Sequence, residues 1–135
     1  VSSIDWELLK AKALEIQKRA YAPYSGFEVG AALLGDNGEI YVGANVENAS
    51  YGLCLCAERS AVAAAIADGS RRFRALAVVT PAKRAASCCG SCRQVLAEFP
   101  PSFPVRCFTN GGDEVVTTVD ELLPYAFGPS HLSKD

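Results

Sequence analysis

The chain has no apolar run approaching ~18 residues, the length a membrane-spanning helix needs, and no charged-then-apolar leader, so neither a membrane partner nor a secretion signal is read from it. It also lacks an excess of either charge. A formal net charge of −2 and a pI near 5.4 give no basic face to hold a phosphate backbone, and the aromatics are not interleaved with Lys or Arg, which argues against a nucleic-acid partner. The one basic run, Arg71-Arg72-Phe73-Arg74, reads as a solvated loop between a helix and a strand. The single histidine, His131, lies in a polar tail and is assigned no role. There is no repeat and no low-complexity tract. The 135 residues suit one domain, 1–135, long enough to bury roughly two thirds of the unfolded surface.

Six cysteines are present, but they fall at metal-ligand spacing, and a chain of this length does not need disulfide staples, so a reducing cytoplasm is expected. Cys56-Ala57-Glu58 is followed by Cys89-Gly90-Ser91-Cys92, which supplies three thiolates for one metal with a carboxylate beside them. Three protein ligands leave a coordination position open for water, as in catalytic zinc sites, whereas structural sites close with four. The alternative is a zinc-stabilised module without activity, and Glu58 argues against it, because a purely structural site needs no carboxylate next to an open position. Cys54 and Cys107 lie in apolar surroundings outside the motif and read as core cysteines.

The segment Cys56 to Asp68, alanine-rich and closed by Gly69, predicts a helix, and the run through Val95, Leu96 and Phe99 predicts a second one opening at Cys89. A helix N-terminus favours a nearby negative charge, so both cysteine positions favour the thiolate that binds metal. Arg59, three residues after Cys56 and on the same helical face, is placed to donate to the sulfurs and offset their charge. Glu58 is the candidate general acid and base. Elsewhere, helical spacing predicts an amphipathic helix over residues 5–20 starting at Asp5, then a loop from Tyr21 to Gly26. Strands are predicted at 27–34 and 39–46 around the hairpin signal Asp36-Asn37-Gly38, at 75–80 and at 104–109. An edge strand at 115–118 and a short helix at 119–123 complete the chain. The alternation of strands and helices implies parallel pairing and a sheet of about five strands covered by helices, with the metal-bearing helices at the carboxyl ends of adjacent strands.

These residues resemble the small, homotetrameric cytidine deaminases. The family pattern of Cys-Ala-Glu followed by Pro-Cys-Gly-x-Cys-Arg-Gln stands here as Cys56-Ala57-Glu58 and Cys89-Gly90-Ser91-Cys92-Arg93-Gln94. Phe27 to Leu33 is similar to the family's first strand, Asn45 to Tyr51 to its ribose-binding segment, and Ala126 to Leu132 to its C-terminal segment. The resemblance implies a three-layer α/β/α fold with a mixed sheet, and a hydrolase of pyrimidine salvage that releases ammonia from cytidine or 2′-deoxycytidine using one Zn²⁺ per subunit. It implies ligands Cys56, Cys89 and Cys92, with Glu58 moving protons. Asn45 and Glu47 would bind the sugar's 3′-hydroxyl, Phe27 would pack on the pyrimidine, and Ala57 would meet the base edge through its backbone. Ala49, Tyr51 and Phe127 match positions that reach a neighbouring subunit's site, so a homotetramer with active sites at subunit interfaces is expected. Without the resemblance, Phe27 in an alternating strand would read as core. Blasticidin S deaminases share the size and the zinc motif, but the 45–51 segment and Arg93-Gln94 look like the cytidine enzymes. One departure from the pattern is Cys88, which stands where the family has proline. The Cys-x-x-Cys separation favours Cys89 over Cys88 as the ligand.

Overall fold

Asp5 starts the first helix by accepting a hydrogen bond from the Leu8 backbone N–H (3.1 Å), an N-cap contribution of about 1 kcal/mol. In this computed structural model, which describes residues 3–132, α1 spans Trp6–Gln17. The ends of the expected 1–135 domain therefore lie outside the described residues. The helix stops three residues before the predicted 20, because Arg19 and Ala20 donate to Ile16 and Gln17 and tighten the last turn.

Five strands follow: β1 (Gly30–Gly35), β2 (Ile40–Ala44), β3 (Phe73–Thr80), β4 (Pro104–Thr109) and β5 (Glu114–Thr118). Between them lie α2 (Ala57–Ala67) and α3 (Gly90–Ala97), and α4 (Val119–Leu122) comes after β5. The strands form one mixed sheet in the order β2-β1-β3-β4-β5, with β3 and β4 parallel and the other neighbouring pairs antiparallel. The strands that precede the two metal-bearing helices, β2 and β3, run the same way as predicted but are not adjacent. The hairpin partner β1 pairs with both and lies between them.

The central strand shows why the layers form. Leu76 and Val78 of β3 face α2 and α3, while Ala75, Ala77 and Val79 face α1, and all five are buried. A strand buried on both faces reads as a continuous apolar run rather than an alternating one. Phe73 corrects the reading of the basic run as wholly solvated. Arg71 and Arg72 are exposed, but Phe73 is buried and opens β3 two residues earlier than predicted, its ring edge-on to Phe99 (5.2 Å) and Phe103 (6.1 Å). Such pairs contribute roughly 0.5–1.5 kcal/mol beyond area burial.

The predicted strands at 27–34 and 39–46 are shorter than expected at the ends nearest the site. Beside one backbone bond, from the Asn45 N–H to the Val29 carbonyl (3.3 Å), the Asn45 side chain takes the place of further ladder pairing, accepting from the Val29 N–H (2.9 Å) and donating to the Phe27 carbonyl (2.8 Å). Residues 27–29 are thereby held beside the sheet without being part of it. Val46 continues past β2 as a bridge, exchanging backbone hydrogen bonds with Leu55 (2.8 and 2.9 Å).

Candidate active site

Gly43 determines how closely α2 approaches the sheet. A Cβ at this position would sit 2.4 Å from the Ala61 nitrogen and 2.6 Å from the Ala57 carbonyl oxygen, so only glycine lets the first turn of α2 lie against β2. Cys56 and Cys89 are the N-cap residues of α2 and α3, neither using its side chain as a cap, and Cys92 sits in the first turn of α3. The sulfurs of Cys56, Cys89 and Cys92 all lie within 4.8 Å of one another, with Cys56 and Cys89 3.8 Å apart. Two thiolates bound to zinc at about 2.3 Å and a tetrahedral angle have sulfurs about 3.8 Å apart, so the donor set fits one zinc ion. Cys88 does not join this group. It is buried and borders the same cavity, but its sulfur lies outside the group formed by the other three, so Cys89 is the residue that presents its sulfur to Cys56 and Cys92.

The electrostatics favour an anionic Cys56. Hydrogen bonding from Cys92, then from Arg59 and Cys89, holds the Cys56 thiol at about 5 against the opposing effect of partial burial. Arg59 donates from Nη2 both to the Cys56 sulfur (3.4 Å) and to the Cys54 carbonyl (3.2 Å). Cys92 is pushed upward, first by its hydrogen bond to Cys56 and then by burial, so of these two sulfurs Cys56 is the one favoured as thiolate. Glu58 lies in the first turn of α2 and is only 6% exposed. Burial, followed by the charge on Cys56, raises its carboxyl above the usual range.

Glu58, Cys56 and Cys89 line a cavity of about 320 Å³, a size suited to a small-molecule substrate. Phe27, Asn45, Glu47 and Ala57 line it as well. Phe27 is not a core residue, as strand alternation alone suggested: it precedes β1 and is 42% exposed. Ser25, Val78, Thr80 and Ser87 also line the cavity and had not been singled out. For Thr80 a sequence signal existed, since it ends an apolar strand at the carboxyl edge where α/β sheets bind ligands. Ser25 gave no such signal. Its hydroxyl, its backbone N–H (3.1 Å) and the Tyr24 N–H (3.0 Å) all donate to the Glu47 carboxylate, and the Ser25 hydroxyl is the leading cause of that carboxyl lying below its usual range.

Ala49, Tyr51 and Phe127 do not line this cavity. Ala49 and Tyr51 are exposed, and Tyr51 borders a smaller adjoining hollow with Tyr24 and Glu47. Phe127 is exposed, its carbonyl accepting from Gln94 Nε2 (2.8 Å) and its ring stacked on His131 (5.3 Å). His131 is thus exposed but not merely solvated, since its Nδ1 also accepts from the Gly128 N–H (3.0 Å).

A buried carboxyl in the wall of a substrate-sized cavity, beside three convergent sulfurs of which those of Cys56 and Cys89 belong to lining residues, on a three-layer α/β/α sheet, defines a zinc metalloenzyme rather than a closed structural site. Residues 4–105 match the family described as the cytidine and deoxycytidylate deaminase zinc-binding region. The cytidine deaminase of Sporosarcina psychrophila is 49% identical over 131 residues, covering 96% of both chains, and that of Halalkalibacterium halodurans is 48% identical over 125 residues, covering 92% of this chain and 95% of the relative. A crystal structure of cytidine deaminase from Burkholderia pseudomallei superposes with a TM-score of 0.88 at 46% identity, covering 92% of this chain and all of that one. The chain belongs to the cytidine deaminase family.

Proposed function

We propose that this chain is a zinc-dependent hydrolase that converts cytidine and 2′-deoxycytidine to uridine and 2′-deoxyuridine with release of ammonia. The observation that carries this reading is Glu58, a buried carboxyl that lines a nucleoside-sized cavity together with Cys56 and Cys89 of the three-sulfur cluster. The cytidine deaminases to which the chain is similar over nearly all of its length support it.

Cys56, Cys89 and Cys92 would hold one zinc ion per subunit. Zinc supplies Lewis acidity, lowering the pKa of a water in its open position to about 7. Glu58 then carries protons in both halves of the reaction. Its carboxylate takes a proton from the attacking water and delivers it to N3 of the pyrimidine as the water oxygen bonds to C4. It next passes the second water proton to the exocyclic amine, the C4–N bond breaks, and ammonia leaves. The balance is one water in and one ammonia out, with Glu58 restored. A carboxyl raised by burial suits this exchange, because it holds a proton more readily than an exposed one and still gives it up.

The substrate contacts follow from unused hydrogen-bonding capacity. Asn45 donates one amide N–H to the Phe27 carbonyl and keeps the second, while Glu47 accepts three bonds and retains acceptor sites. Together they offer a donor and an acceptor to the sugar's 3′-hydroxyl, with Phe27 against the pyrimidine and the Ala57 backbone at the base edge. Among the described residues no helix is long and apolar enough to cross a membrane. We further place the enzyme in the cytoplasm, in pyrimidine salvage, as a single-domain subunit of a homotetramer in which Ala49, Tyr51 and Phe127 serve a neighbouring site. The exposure of Tyr51 (75%) and Phe127 (56%) supports that assembly.

The test is to incubate the zinc-loaded protein with cytidine and measure uridine and ammonia. Equimolar products are expected, and Glu58→Gln should lose about 10²- to 10⁴-fold in turnover while keeping its zinc. Absence of product from zinc-replete, folded protein would overturn the reaction. Near-normal turnover in Glu58→Gln would overturn the role of Glu58.

A further inference from the structure

Arg93 directly follows Cys92 in α3, and its guanidinium does not serve the sulfur cluster. Its three nitrogens donate to three different acceptors: Nε to the Cys88 carbonyl (2.8 Å), Nη1 to the Leu122 carbonyl (2.8 Å) and Nη2 to the Ser87 hydroxyl. Two of these acceptors belong to the irregular segment immediately before Cys89, and the third is the last residue of α4. Of the three clustered cysteines, Cys89 is the exposed one, whereas Cys92 is buried and Cys56 intermediate. Its position therefore depends least on packing and most on what holds the preceding segment.

We infer that Arg93 is a positioning residue that fixes Cys89 by tying the Ser87–Cys88 segment to the end of α4, so that retention of zinc depends on it. This rests on the zinc reading above. A planar guanidinium reaches three acceptors in different directions at once, whereas a lysine ammonium offers its donors from a single point and cannot span them. Outer partners that orient metal ligands typically change metal affinity by about 10- to 100-fold.

The experiment follows zinc release from the loaded protein to a chromogenic chelator in wild type, Arg93→Lys, Ser87→Ala, the double variant and Gln94→Ala, alongside thermal melting of each metal-free protein. Gln94 donates to the Phe127 carbonyl but not to the Ser87–Cys88 segment, so it controls for general loosening of α3. Arg93→Lys should release zinc about 10- to 100-fold faster. Ser87→Ala should be faster than wild type by less, and the double variant no faster than Arg93→Lys, because both substitutions act through one tie. Gln94→Ala should release zinc at close to the wild-type rate. Wild-type release from Arg93→Lys, or an acceleration matched by Gln94→Ala and by equal loss of metal-free stability, would overturn the inference. If Arg93→Lys does not fold, unchanged release from Ser87→Ala overturns it instead. A wild-type protein that never holds zinc refutes the metal reading itself. One that holds zinc and deaminates cytidine while Arg93→Lys matches it refutes only the role of Arg93.

Discussion

Gly43→Ala tests whether the approach of α2 to β2 sets the site. The new methyl would lie 2.4 Å from the Ala61 nitrogen and 2.6 Å from the Ala57 oxygen, both backbone atoms that cannot rotate aside. Restoring ordinary contact at about 3.4 Å requires the first turn of α2 to retreat by roughly 1 Å. That turn carries Glu58 and adjoins Cys56, so the carboxyl and one sulfur move away from Cys89 and Cys92, which are held by α3. Overpacking of this kind costs about 1–3 kcal/mol, or roughly 4–12 °C in melting temperature for a chain of this size. A displacement of about 1 Å at reacting groups costs on the order of 10²-fold in rate, beyond what the stability loss alone explains at a temperature where the protein remains folded. The assay compares steady-state deamination of cytidine, bound zinc and melting temperature in the two proteins. A Gly43→Ala variant with wild-type turnover and a melting temperature within about 1 °C would refute the argument, because it would mean that α2 reaches its place without the close contact.

Two further predictions address the thiols and the cavity mouth. Cys88→Pro should preserve zinc content and deamination, because Cys88 lies outside the sulfur cluster, whereas Cys89→Ala should lose both; metal analysis showing the reverse would reassign the ligand. The Glu47 carboxyl is held below its usual value of 4.5, first by the Ser25 hydroxyl. A depressed carboxyl contributes stability that is fully present above the unfolded pKa and lost as pH falls through the folded one. Acid unfolding of Ser25→Ala should therefore begin at higher pH than in wild type, with the two proteins converging once Glu47 is protonated in both. Superimposable acid-unfolding curves would show that the Ser25 bond does not bias that titration.

What the sequence made legible was local. The separation of Cys89 from Cys92 and the turn signal at Asp36-Asn37-Gly38 are short-range features whose geometry follows from residue type, and both lie where they were expected. The apolar runs gave the inner strands for the same reason, since burial on both faces leaves no room for polar residues. The strand ends near the site were not legible. Phe27 reads as strand, but the Asn45 side chain, eighteen residues away, competes for the backbone of 27–29, and no local pattern announces that competition. Ser25 and Glu47 are twenty-two residues apart, and Arg93 in α3 reaches Leu122 at the end of α4 with both β4 and β5 between them in the chain. The elements therefore could be read from periodicity, while the insertion of β1 between β2 and β3 and the support of the site depend on contacts that form only after the chain has folded.

The same contacts explain how a site built from sulfur remains balanced. Three thiolates around a divalent ion leave one excess negative charge, and a nearby ionised Glu58 would add another. Arg59 offsets part of this through its bond to Cys56, and Cys56 and Cys89 stand at the N-termini of α2 and α3, where the helix dipole favours negative charge. Burial works in the opposite direction on Glu58 by favouring its neutral form. The protein thus stabilises the Cys56 thiolate and disfavours anionic carboxylate within the same cavity wall. In the proposed reaction that difference is useful, because the metal-holding sulfur would stay charged while Glu58 would alternate between protonated and charged states to move each proton of the attacking water.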